Sequence, residues 1–467
     1  MGAAVLGVHV AKALITLTPR DSDFLIFYVS ALQARLGASM YFLGDVLFRN
    51  HNPPHFHLVV LPFTYLPTAA AWVLWTMVSM ILAVWVTRMS MRASTRVWTS
   101  HQRWILAACL LNAAGVQTAI RTGQLTWLIA GLVTAAWLTA REQRWTLSAV
   151  FAGLAISVKP FLLVLLGFYL VRRQWRALIT ATSVVALGIT AGALTFGIES
   201  AQQWMVVLRT RPAPELFLYF VNASLTGFVV RAGWPMLVGT IVSAVLLILT
   251  MWRVRSADDD RAWAILLVAA LLASPIACMY YAPLFLGPLI VLLHERRLAA
   301  PRSLIVPLVF PPIGVEPFPS GVLQLSFGSV YMWGFLLLWV TLWVRRDKES
   351  GSRSSRPVVR TAAPSGRIRG WCGAPVAELE RDAAHLEDVP FSQVPASSEW
   401  QPVDQIRAPD GSRDVAVVAA RDDDSDRGFE ETPHSHQRGF CSPNQGRGAF
   451  EWILRPLRVT RQHVQDG

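Results

Sequence analysis

The sequence predicts an all-α, polytopic membrane protein, and three observations carry that reading. Hydrophobic residues make up 53% of the 467 positions and charged residues only 15%, against about 25% charged in a soluble domain. The charges are segregated: Lys and Arg come in short clusters between apolar blocks, and most of the acids fall beyond residue 348. The apolar blocks themselves recur about a dozen times, although several are shorter than the ~20 residues a straight membrane-crossing helix needs. Residues 1–348 are therefore read as a membrane domain. Residues 349–467, rich in Arg, Ser, Pro and Asp and without a sustained apolar period, are read as a polar, disordered cytoplasmic tail.

The net charge of +12 calls for no nucleic acid, since basic cytoplasmic loops and a basic tail account for it. The four cysteines form no CxxC pair and no Cys/His metal spacing. No metal and no cofactor is expected.

The blocks fall near 2–18, 57–87, 104–118, 124–140, 146–158, 160–171, 177–197, 235–252, 262–279, 282–294, 303–316 and 327–344, which gives about 12 spans. Lys159-Pro160 divides the stretch 145–171, because proline cannot continue a helix. If the stretch crosses twice, segments 88–103, 141–145, 172–176, 253–261, 296–302 and 345–348 share one side. They carry 18 Lys and Arg, against 8 on the other side. A single crossing would send Arg172, Arg173 and Arg176 outward and invert every later loop. The positive-inside rule selects two crossings and places the basic side in the cytoplasm. Lys159 then sits at the apex of a broken hairpin on the outer side.

That outer, periplasmic or extracellular face collects 19–55, 119–123, Lys159-Pro160, 198–234, 280–283 and 317–326. Two of these are long, and long loops in compact domains usually serve a site. In the first, Phe24, Phe27, Tyr28, Ala31, Leu32, Arg35 and Leu36 share a helical face. This predicts a helix over 22–36, capped by Ser22 and lying along the membrane surface. Trp204, Phe217, Tyr219 and Phe220 suggest that 198–234 also rests on the bilayer.

Motifs on this face come in a recognisable order. They are DFLIFYVSA from Asp23 with Gly37 and Tyr41, NPPHFHLVVLPFTYLP (52–67), Gly123-Gln124, AGLAISVKP (152–160) followed by RRQWR, NASLTGFVVR (222–231) and SPIACMYY (274–281). Together, over about residues 20–345, they resemble glycosyltransferase family 87, membrane mannosyltransferases of the GT-C class. The chain has Thr126 where the family often has Asn, and Tyr280 and Tyr281 where it often has His. The resemblance implies a polyprenyl-phosphate sugar donor, with mannose as the sugar. It implies inverting transfer to a glycolipid or cell-envelope glycan outside the cytoplasmic membrane. Arabinofuranose from decaprenyl phosphate would use the same machinery. A transporter of lipid-linked sugars is the reading from a different class, but such proteins show internal repeats and polar residues toward both sides. An envelope-assembly partner without activity is the third.

Such a reaction needs a base for the attacking hydroxyl and cations for the leaving phosphate. Asp23 is the candidate base; its rival role is that of a first-turn acid at a helix N-terminus. Asp21 is the lesser carboxylate. Lys159 in an apolar run costs about 2.5–3.5 kcal/mol at a bilayer centre, so it either lines a site, there meeting the donor phosphate, or snorkels to the interface. Arg231 is a second phosphate ligand or an interfacial anchor. Arg121, beside Gly123-Gln124, is a third or a topology charge. Gln124 and Asn222 are candidates for the substrate, with a helix start the alternative for Gln124. Tyr280 and Tyr281 stack on a sugar or belong to the aromatic belt. His51, His55 and His57 are spaced by four and two, as metal ligands can be, but Pro53 and Pro54 break the helix that such ligands would share.

Overall fold

The computed structural model describes residues 22–43, 46–47, 50–209, 215–298 and 321–344, all within the first of two units of the chain, Met1–Ser352. The spans expected over 2–18 and 303–316, Asp21 and the tail lie outside the described residues. The described secondary structure is helical, apart from a hairpin of two-residue strands that pairs β1 (Phe42–Leu43) with β2 (Val46–Leu47).

The first helix, α1 (Asp23–Arg35), begins as the sequence predicts. Ser22 is extended and its side chain accepts from the Leu25 N–H at 3.3 Å. Asp23 in the first turn and Arg35 in the last both complement the helix dipole. Phe24, Phe27, Tyr28 and Ala31 are buried, whereas Leu36, expected on the same face, is 61% exposed just past the helix end. Arg35 leaves the apolar face: its Nη1–H donates to the Thr64 carbonyl at 2.6 Å, and the guanidinium lies 4.6 Å over the Tyr65 ring. Tyr28 donates to the Leu66 carbonyl at 2.9 Å. These contacts latch α1 to the chain that leads into α2 (Thr68–Ala93).

Next come α3 (Ser100–Asn112), α4 (Ala114–Arg121), α5 (Thr126–Arg141) and α6 (Trp145–Val158). They are followed by α7 (Val164–Val171), α8 (Trp175–Arg209), α9 (Leu225–Arg231), α10 (Met236–Val254), α11 (Asp259–Ala273), α12 (Leu286–His294) and α13 (Val330–Val344). Among the described residues four helical stretches are long and apolar enough to cross a membrane: α2, α8, α10 and the Val322–Val344 segment that ends in α13. A fifth candidate is the α3–α4 pair, bent by 56°. This is fewer full-length crossings than the about 12 expected. Breaks at Ala113, Lys159-Pro160 and Pro283 leave several apolar blocks as shorter helices, and a 14-residue arm such as α6 falls short of a ~30 Å core.

The core is built around α11, whose residues from Asp260 to Leu272 are all buried, as befits a helix apolar all round. It packs on α7, α10, α12 and α13, while α5 and α8 sandwich α6. The α6–α7 stretch turns back as expected. Lys159 is extended (φ −131°, ψ 97°), Pro160–Leu163 form a 3₁₀ turn, and the arms are joined far from that tip. There the Ser148 and Tyr169 hydroxyls bond at 2.7 Å, and the Trp145 and Phe168 rings lie 6.2 Å apart. One loop expectation is corrected. Helix α8 runs on through a kink at Gly197 (φ 80°) to Arg209, so 198–209 is helical; glycine accepts the positive φ without steric cost.

Segments predicted to share the cytoplasmic side meet in one ionic network. Asp260 bonds Arg141 at 3.1 Å and Arg297 at 2.7 Å, and Arg297 also pairs with Asp258 and, at 3.3 Å, with Glu295. Arg172 pairs with Asp259 at 3.6 Å, and Glu295 accepts from the Thr95 N–H at 2.8 Å. Each of α5, α6, α7 and α11 thus has one end at this network. Their other ends carry Gln124, Lys159, Pro160 and Ser274.

Candidate active site

At those other ends, two distant stretches are pressed together. The turn between α4 and α5 places Gly123 at φ +62°. Its carbonyl accepts from the Trp75 indole at 2.8 Å, and the preceding Thr122 carbonyl accepts from the Phe24 N–H at 3.3 Å. A Cβ at position 123 would strike the Trp72 ring and stand 2.8 Å from the Phe24 Cβ, so glycine is needed for both conformation and close approach. The turn delivers Gln124, 5% exposed, to the start of α1, where its Nε2–H donates to Asp23 Oδ2. The Gln124 Oε1 is buried without a partner among the described residues. One carboxylate oxygen of Asp23 is thereby held, and the other receives no bond from a described residue.

Lys159 reaches the same place from the hairpin tip. It is half-buried, with Nζ 5.8 Å from the centroid of the Tyr281 ring. Tyr281 in turn packs on Phe161 at 5.2 Å and Tyr280 at 4.7 Å. Burial pushes the Asp23 carboxyl above its ordinary range, opposed by the Gln124 bond and the Lys159 charge. Burial also pulls the Lys159 ammonium down to about 8, opposed by the Asp23 charge. In both groups desolvation outweighs their mutual attraction. Cys278 lies within electrostatic reach of Asp23 and Lys159. Sequence reasoning missed it; its place two residues before Tyr280 in SPIACMYY was the available signal.

Arg231 and Asn222, expected to meet substrate, make structural bonds here. Arg231 is 6% exposed. Its Nε–H donates to Ser329 Oγ at 2.9 Å, Nη1 donates to the Phe217 and Tyr219 carbonyls at 2.9 and 3.3 Å, and Nη2 donates to the Asn222 carbonyl at 3.2 Å. The guanidinium thus donates to three backbone carbonyls and one side-chain hydroxyl. Asn222 Oδ1 accepts from the Ser224 and Ala277 N–H groups, and its Nδ2–H donates to the Leu216 carbonyl. Backbone bonds from Ala223 to Ala277 (2.7 Å) and from Met279 to Val221 (2.9 Å) complete the tie. This pair therefore holds the Cys278–Tyr281 segment in place.

Arg121 is exposed at the end of α4 and Thr126 is fully buried at the start of α5; neither side chain has a bonded partner among the described residues. The histidines diverge. His55 Nε2–H donates to the Ser157 carbonyl at 2.8 Å. His57 Nδ1–H donates to the Pro54 carbonyl at 3.2 Å and its Nε2 accepts from Asn50 at 2.8 Å. A cleft of about 520 Å³ lined by Arg144, Trp145, Gln174 and Arg176 lies at the network end and shares no residue with the Asp23 group.

Residues 50–276 match the model of Glycosyltransferase family 87. That range takes in Gln124, Lys159 and Arg231, while Asp23, Cys278, Tyr280 and Tyr281 fall outside it. A curated relative, an Alpha-(1->3)-arabinofuranosyltransferase of Corynebacterium glutamicum, is 30% identical over 180 residues, 34% of this chain and 40% of the relative. The match thus spans about two fifths of that relative's length. No solved structure matches the chain.

Proposed function

From the likeness to glycosyltransferase family 87, we propose that this protein is a membrane glycosyltransferase. It moves a sugar from a polyprenyl-phosphate donor to a hydroxyl of a glycolipid or cell-envelope glycan, with inversion, at the outer side of the cytoplasmic membrane. The observation that carries the reading is the convergence of Asp23, Gln124 and Lys159 from three separate stretches at one end of the helical domain.

Asp23 acts as the general base. It takes the proton of the acceptor hydroxyl as that oxygen attacks the anomeric carbon. The bond from that carbon to the donor phosphate breaks, and its electron pair leaves with the polyprenyl phosphate. A carboxyl raised by burial lies closer to the working pH, where a base is most effective. Lys159 meets the charge gathering on the departing phosphate. Gln124 holds one carboxylate oxygen so that the other faces the hydroxyl. Tyr280 and Tyr281 form an aromatic wall beside Lys159, against which a sugar ring can stack.

Mannose is the donor sugar that the motifs favour. Arabinofuranose is the second reading, favoured by the printed activity of the Corynebacterium relative. The test is transfer by purified protein in lipid, supplied separately with polyprenyl-phosphate mannose and decaprenyl-phosphate arabinofuranose and with membrane-lipid acceptors. The proposal expects one donor to give product. Neither donor giving product, with folded protein and donor bound, would overturn it.

A further inference from the structure

The proposed mechanism makes no use of His55, yet this side chain joins three elements at the point where Lys159 is set. It sits in the Pro54–Phe56 turn, 8% exposed. Its Nε2–H donates to the Ser157 carbonyl at 2.8 Å, while Nδ1 is buried with no partner among the described residues. The bond therefore fixes one tautomer, with the proton on Nε2.

Ser157 lies in the last turn of α6, whose final carbonyls have no intrahelical partner. Had the helix run on, the Phe161 N–H would have served it; instead Lys159 is extended and Pro160 begins a new turn. His55 supplies the missing donor, in the manner of a basic side chain capping a helix C-terminus. Helix α8 closes the joint. A Cβ at Gly192 would stand 2.7 Å from the His55 backbone nitrogen. One at Gly188 would stand 3.4 Å from the imidazole and 3.3 Å from the Ser157 Cβ. Two glycines on one face of α8 thus let the first loop and the hairpin tip meet there.

We propose that His55 is a positioning residue for Lys159, fixing the direction in which the ammonium leaves the hairpin tip by capping the carbonyl two residues before it. The bond is the tip's link to the loop that follows α1, so it couples the placement of Lys159 to the stretch that carries Asp23. The value of that placement for transfer rests on the function proposed above; the placement itself does not.

The experiment measures acylation of Lys159 by an amine-reactive ester in the folded, full-length resting protein, read by mass spectrometry against a denatured control. His55→Ala is expected to change the Lys159 rate by roughly fivefold, the scale of one lost hydrogen bond. His55→Gln, whose amide nitrogen can reach the Nε2 position, is expected to restore it, whereas the shorter His55→Asn is not. Should His55→Ala fail to fold, the Gln and Asn variants give the same reading. In transfer assays, adding His55→Ala to Lys159→Ala is expected to raise the donor KM no further than Lys159→Ala alone. An unchanged Lys159 rate in folded His55→Asn, or equal rates in the Gln and Asn variants, would overturn the proposal. The acylation readout needs no turnover, so it separates failure of this inference from failure of the transferase reading.

Discussion

Gln124 donates to the carboxylate of Asp23 across a separation of 101 residues. A hydrogen bond to the charged form of an acid lowers its pKa, so this contact works against the burial that raises Asp23. Gln124→Ala is therefore expected to raise the Asp23 pKa further. Because the base acts deprotonated, the acid limb of the kcat/KM profile should move to higher pH, and kcat at neutral pH should fall roughly tenfold, the cost of a lost charge-assisted bond. A pH–rate profile checks both; an unmoved acid limb would separate Gln124 from the base.

Lys159→Met should chiefly raise the donor KM and lower kcat, since it removes the cation facing the leaving phosphate. In the free enzyme the ammonium is held near 8. The form needed is protonated, so kcat/KM is expected to decline as pH rises through that value. Lys159→Met should abolish that alkaline limb. A limb that persists in the variant would assign it to another group.

Gly123→Ala combines a strained positive φ with a Cβ driven into Trp72 and toward Phe24. The turn must shift, and it carries Gln124 and the carbonyl that holds the start of α1. The variant should lose thermal stability and, where it folds, lose transfer much as Gln124→Ala does. Thermal melts paired with donor-transfer assays measure the two effects together.

At the other end, Asp260→Ala leaves Arg141 and Arg297 without their shared carboxylate and Trp137 without an acceptor. Both arginines keep about a quarter of their side-chain surface in solvent. The expected loss is therefore roughly 2 kcal/mol, below that of a fully buried pair. Chemical or thermal denaturation in detergent gives the value. The folded fraction should keep its donor KM, because none of these residues belongs to the Asp23 group.

The hairpin at Lys159-Pro160, the Ser22 cap and the buried face of α1 were legible because each is set by local sequence: a proline, a hydroxyl before a helix, a period of apolar residues. The sharing of one end by Arg141, Arg172, Asp258 and Arg297 was legible through charge, since loops on one side of a membrane carry one bias. The roles of Arg231 and Asn222 were not. A basic residue before an apolar helix reads the same whether its donors meet a phosphate or the carbonyls of Phe217, Tyr219 and Asn222. The Asp23–Gln124 pairing was hidden too, since nothing local in either stretch names the other; only the order of the motifs placed both on one face. The bend at Ala113 was not legible, because hydropathy does not register it.

The central claim is that Asp23 is the base, and the most direct measurement is single-turnover transfer by Asp23→Asn with bound donor. The variant keeps the size of the side chain and the helix cap. The account predicts a rate reduced by roughly 10²–10⁴-fold with donor affinity little changed. Transfer within about twofold of the wild-type rate, far less than removal of a general base causes, would contradict it.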